Sequence, residues 1–218
     1  MDVNAGVNAD TGRFASLLTQ GTYPRALYDE VLSESHGCVV APTLGSILPN
    51  WLLVIPRMRV INFARWQAAT GIKPADVVKA VLTGYDLDDD RVFWFEHGPS
   101  EEGSSIGCGV DQAHLHVIVD APFSFQDFVS ATAKGSQFKW QDQSGTTAHE
   151  SVKAWASYLI AASMDRAVVA QNVGRIGSQF FRRVIAGVVK RPDAWNYRTH
   201  PHFDNVRETV RSFGCQSP

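Results

Sequence analysis

Cysteine, charge of one sign and long apolar runs are all in short supply here, and each shortage removes a class of protein. Cys38, Cys108 and Cys215 are the only cysteines, and they lie far apart. That is too few and too scattered for a disulfide framework, and no Cys-x-x-Cys pair suggests a structural zinc. Twenty Lys and Arg stand against 22 Asp and Glu, a formal net charge of -2. No global basic field therefore recruits extended nucleic acid, although a local patch can hold a phosphate. No run approaches the roughly 18–20 apolar residues of a membrane helix. The opening MDVNAGVNADTGRFASLL lacks the basic and apolar regions of a signal peptide. The expectation is a soluble, cytoplasmic protein with no membrane partner.

What is present is an ordinary globular composition. The 218 residues are 44% hydrophobic and 19% charged, enough for one sizeable core. Residues 1–35 read as an N-terminal segment, with one or two short helices over 13–34 broken near Gly21 and Pro24. Residues 36–59 read as a hairpin, with strands at Cys38–Ala41 and Trp51–Ile55 and turn chemistry from Gly45, Ser46 and Pro49. Residues 62–87 have helical spacing, divided at Gly71 and Pro74. A strand over 88–98, a glycine-serine loop over 102–109 and a strand over 112–120 follow, then a helix over 123–133 with Ser124 as N-cap and Asp127 three residues on.

Beyond that the pattern is weaker. Residues 139–153 are polar, with a helix opening near Thr146 or Thr147; 155–162 fit helix or strand; 166–172 read as a strand. Residues 178–190 form an amphipathic helix with Phe181, Val184, Ile185 and Val188 on one stripe, and 195–213 a loop and short helix. With no repeat and no clear linker, the simplest account is one α+β domain. Its core spans 36–135, and 136–218 form a C-terminal helical extension packed on it.

The stretch GCGVDQAHLHVIVD (107–120) carries the chemistry. On a strand, alternate residues share a face, so Gln112, His114 and His116 line one face and Ala113, Leu115, Val117 and Val119 the other, core face. The polar trio then converges on the accessible side. Three readings stay open: satisfied surface polarity; a metal site completed by His97, Asp111, Asp120, His200 or His202; or nucleophilic catalysis at phosphorus. A nucleophilic imidazole needs its other ring nitrogen held by an acceptor and donors around the phosphate.

At these residues the sequence resembles the histidine triad (HIT-like) superfamily of nucleotidyl hydrolases and transferases. The family signature is His-φ-His-φ-His-φ-φ, with φ apolar, and here it reads Gln112-Ala113-His114-Leu115-His116-Val117-Ile118. LPNWLLVIPR (48–57) resembles the family strand P-G-H-x-L-V-x-P, through Pro49, Leu53, Val54 and Pro56. The resemblance covers about residues 36–130. It implies an antiparallel sheet with packed helices, often paired as a homodimer, and chemistry needing no cofactor. It assigns His114 as the nucleophile that forms a covalent nucleotidyl-histidine, His116 as a hydrogen-bond partner of the phosphate or bridging oxygen, and Gln112 to a supporting place. The implied substrate is a dinucleoside polyphosphate, a nucleotide sugar or a nucleoside phosphoramidate. Thr43 lies where relatives carry a ribose contact.

Other phosphate ligands are candidates by residue type. Ser104 and Ser105 can donate through hydroxyls, and the backbone from Gly103 to Gly109, including Gly107 and Cys108, through amides. Arg182 and Arg183 suit bidentate phosphate contacts. Arg183 is the preferred candidate, because Gln179 and Arg183 lie one turn apart and can face the site together. Phe93, Trp94 and Phe95 read as core, with one of them a potential base-stacking ring. Two rival functions remain: a non-catalytic nucleotide-binding protein with a degenerate triad, and a His-x-His metalloenzyme.

Overall fold

A computed structural model of the chain describes residues 12–19, 26–85, 87–104, 106, 110–171, 173 and 179–214. Its strands are β1 (Ser33–Ser35), β2 (Cys38–Pro42), β3 (Trp51–Pro56), β4 (Phe93–Gly98), β5 (Leu115–Ile118), β6 (Gln141–Gln143), β7 (Tyr158–Ala162) and β8 (Ala167–Gln171). They form one eight-stranded sheet in the order β1-β2-β3-β5-β4-β7-β8-β6. Every pairing is antiparallel. The helices are α1 (Ala15–Leu18), α2 (Phe63–Thr70), α3 (Pro74–Val81), α4 (Phe125–Lys134), α5 (Ala148–Ser151), α6 (Phe180–Val188) and α7 (Phe203–Gly214). The chain is therefore α+β, built on an antiparallel sheet. None of its described helices is long and apolar enough to cross a membrane.

Local chemistry sets several boundaries where the sequence places them. The β2–β3 hairpin pairs Val40 with Val54. Helix α2 starts at Asn62, whose side chain accepts from the Arg65 amide at 2.9 Å, and stops at left-handed Gly71. Pro74 then opens α3. Ser124 and Asp127 form a reciprocal capping box on α4, which satisfies two backbone donors that the first helical turn leaves over.

Four expectations are corrected. The C-terminal third is more than a helical extension: it supplies β6, β7 and β8 to the same sheet. Strand β6 reads Gln-Asp-Gln, so hydrophobic alternation had nothing to act on; it forms because β8 offers a free edge. The end of the first segment is strand β1 rather than helix, turned onto β2 through His36 and Gly37, both with positive φ. The signature strand is paired only from Leu115 to Ile118. Just before it the Gln112 side-chain amide donates to the carbonyls of Pro56 (2.7 Å) and Met58 (3.0 Å), while the Ala113 amide donates to Val60.

The fourth correction concerns exposure. Both sheet faces are covered, so the trio does not lie on an open surface. Leu115, Val117 and Trp94 pack under α2, α3 and α5. Ile118, Phe93 and Phe95 pack under α4 and α6, and Leu53 under the N-terminal Phe14 and Leu17. Only the sheet's outer strands stay short and polar: β1 reads Ser-Glu-Ser and β6 Gln-Asp-Gln, with Glu34 paired to Arg57 and Asp142 to Arg166.

One buried carboxylate joins the layers. Glu96 on β4 is 1% exposed. Its Oε1 accepts from the Phe63 amide at the start of α2 (2.7 Å); its Oε2 accepts from the Tyr158 hydroxyl (2.8 Å) and His149 Nε2 (3.1 Å). The Tyr158 oxygen in turn accepts from the Ala64 amide at 3.1 Å. Tyr158 reaches there across Gly98, where an added Cβ would stand 2.1 Å from its ring. Removing the carboxylate strands three buried donors. Glu96→Ala should cost about 3–5 kcal/mol and Tyr158→Phe about 1–3 kcal/mol. Urea unfolding measures both; a Glu96→Ala variant within about 1 kcal/mol of the parent would refute the linkage.

Candidate active site

The sheet face under α6 carries a pocket at the seam between its two groups of covering side chains. Leu53, Phe95, His97, His114 and His116 form the floor. Arg13, Phe14, Thr43, Leu44, Val110, Gln179, Arg182 and Tyr197 complete the lining. The pocket encloses about 70 Å³, below the usual range of small-molecule sites. Its described lining contains two arginines and no Asp or Glu, although Arg13 is paired with Asp29 just behind it.

Strand pairing brings the histidines together. Phe95 of β4 pairs with His116 of β5. His97 lies two residues further along β4, and His114 just before the paired part of β5; both line the pocket with His116. All three imidazoles therefore share one face.

Hydrogen bonds give His114 and His116 opposite tautomers. His114 Nδ1 lies 2.9 Å from the main-chain oxygen of Gln112. A carbonyl only accepts, so Nδ1 carries the proton and Nε2 keeps its lone pair. His116 Nδ1 lies 3.0 Å from Trp51 Nε1. Indole N–H only donates, so Nδ1 is the acceptor and the proton sits on Nε2. The rings meet edge to face, with centroids 5.3 Å apart. Phe95 stacks on His116 at 4.9 Å and 20°.

All three histidines are held neutral. Burial lowers His114, against the upward pull of its hydrogen bond to Gln112. Burial, then the proximity of His114 and Arg182, puts His116 well below its ordinary value. Burial and the neighbouring His114, Arg182 and Arg183 bring His97 to about 3.

The remaining candidates divide. Gln112 is buried and its side chain turns away to the β3 backbone, so it serves the site through its carbonyl alone. Thr43 lines the wall; its Oγ1 is buried without a partner among the described residues. Gln179 lines it as the left-handed N-cap of α6. Arg183 does not: it lies over Trp195 at 5.1 Å, and Arg182 takes its place. Arg182 is 6% exposed, donates to the carbonyls of Leu44 and Gly45 and lies over Trp51 at 4.8 Å. Gly45 has φ +70, and a Cβ there would stand 2.3 Å from Tyr197 Cβ, so this tight approach requires glycine.

Ser104 does not line the pocket; its hydroxyl accepts from the Ile106 amide. Ser105, Gly107 and Cys108 lie outside the described residues. Asp111 accepts from the Gly103 amide and Asp120 pairs with Arg91. His200 and His202 stack on each other elsewhere. Among the described residues no cluster of three or more His, Cys, Asp or Glu is arranged to hold a metal ion. Arg13, Phe14 and Tyr197 also line the pocket, and nothing in a local pattern links them to the signature.

No protein-family model matches the chain, and no curated protein matches it.

The neutral histidines make stability depend on pH. Their folded-state values are depressed, so below about pH 6.5 the unfolded chain binds protons that the folded chain refuses. Stability should therefore fall as pH drops below about 6.5, before most carboxylates titrate. The slope is at most about 1.4 kcal/mol per pH unit for each of His97 and His116. Unfolding measured between pH 7 and 5 tests this; His97→Gln should flatten the slope by about one proton.

Proposed function

We propose that the chain is a HIT-like nucleotidyl hydrolase or nucleotidyltransferase that attacks the α-phosphate of a nucleotide with His114. The opposed tautomers of His114 and His116 carry this reading. His114 offers a lone pair at Nε2, while His116 offers a proton at Nε2 to a phosphate oxygen. In the first step the His114–phosphorus bond forms and the bond to the leaving group breaks, the leaving group keeping the electron pair. In the second, water or another acceptor displaces His114. The fixed Nε2–H of His116 and the guanidinium groups on the wall stabilise charge on the phosphate oxygens. The reading calls on no cofactor.

The glutamine at the first signature position is compatible with this chemistry. The atom that holds His114 is a main-chain carbonyl, which glutamine supplies as well as histidine does. The substrates proposed are those with a leaving group on a nucleoside α-phosphate: dinucleoside polyphosphates, nucleotide sugars and nucleoside phosphoramidates.

Mass spectrometry after incubation with a nucleotide panel should detect a nucleotidyl adduct on His114. His114→Ala should abolish both adduct and turnover. His116→Ala should retain the nucleophile and slow turnover on the order of 10²–10³-fold. Tight calorimetric binding without adduct or product would instead make the chain a nucleotide-binding protein.

A further inference from the structure

The reaction just described moves a proton twice, and the two signature histidines are poorly placed to carry it. His116 holds one proton, at Nε2, and its Nδ1 is occupied by the Trp51 N–H. Giving up that proton would leave an imidazolate; gaining one at Nδ1 would set two donors face to face. His114 is committed at both nitrogens, Nδ1 to the Gln112 carbonyl and Nε2 to phosphorus. Guanidinium groups do not give up protons in proteins, which removes Arg13 and Arg182.

His97 differs from both. It lies on β4, outside the signature, yet lines the same pocket as His114 and His116. It is 8% exposed, and its Nε2 is buried with no partner among the described residues. A buried ring nitrogen without a partner costs stability on the order of 1–3 kcal/mol. Phe181 packs against the ring at 5.0 Å and fixes where it stands without fixing its tautomer.

We propose that His97 is the proton-transfer residue of this site. The proposal rests on the reading of His114 as nucleophile. Protonated His97 gives its proton to the leaving group as the His114–phosphorus bond forms, and becomes neutral. Neutral His97 then takes a proton from the attacking water as the phosphorus–nitrogen bond breaks, and becomes protonated again. Atoms and charge balance over the cycle: the substrate and one water become the protonated leaving group and the nucleotide.

The charges around His97 fit a proton acquired with substrate. The titratable and charged groups near it are His114, His116 of β5, Arg182 and, behind the pocket wall, Arg183, all neutral or positive. Burial, and then these neighbours, keep it unprotonated. A bound phosphate supplies the missing negative charge, which favours the imidazolium. The site thus loads its acid only when there is something to protonate.

Leaving groups of different basicity test this. The probes are a nucleoside 5′-(p-nitrophenyl phosphate), whose phenolate departs unprotonated, and a nucleoside 5′-phosphoramidate of an alkyl amine, which must be protonated to depart. Single-turnover rates are measured for the parent, His97→Gln and Tyr197→Phe. His97→Gln should raise the ratio of aryl ester to amidate rates on the order of 10²–10⁴-fold, the usual range for a lost general acid. Tyr197→Phe should leave the ratio near that of the parent. Equal slowing of both probes by His97→Gln would make the residue structural and overturn the proposal. So would a changed ratio in Tyr197→Phe alone, which assigns the proton to the phenol. If the parent forms no nucleotidyl adduct on His114 with either probe, the nucleophile assignment itself fails.

Discussion

A single carboxylate in the interior, that of Glu96, is the contact that ties the sheet to the helices covering one of its faces. It takes one backbone donor from α2, a hydroxyl from β7 and a ring nitrogen from α5. An ionised carboxylate out of water is tolerated only when such donors surround it. Its neighbour in sequence, His97, points to the other face, into the pocket. Whatever fixes β4 from the packed side therefore also fixes the height and pitch of a site histidine on the other. The precision of the floor rests on that one strand being clamped from behind.

The floor also depends on what sits next to each imidazole. A signature strand supplies ring positions, but the protonation state of each ring is decided by its partner. Trp51 and the Gln112 carbonyl sort two chemically identical side chains into a donor and an acceptor. The Trp51 N–H thereby has a direct electronic effect on the site.

Legibility in the sequence followed the strength of the local signal. The hairpin, the divided helix and the capped helix α4 were all readable, because turn residues, Gly71, Pro74 and Ser124 act over a few positions. Strand β6 was not, because three polar residues take strand form only by pairing with β8. The site divided in the same way. His114 and His116 were visible as a same-face pair, and His97 as a nearby candidate. The choice between Arg182 and Arg183 was not, since both lie beside the apolar stripe of α6 and only packing against Trp51 and the loop at Leu44 and Gly45 selects one. Arg13 and Phe14 reach the pocket from a hundred residues upstream, a distance no short-range pattern spans.

The polar margins of the sheet have a consequence for the protein in concentrated solution. An open sheet with free backbone groups on its outer strands invites end-to-end growth. Here each outer strand is three residues long and carries a carboxylate bound to an arginine. A further strand would find little ladder to extend and an ion pair to displace at either end. The sheet can stay open at both sides without becoming a template for aggregation.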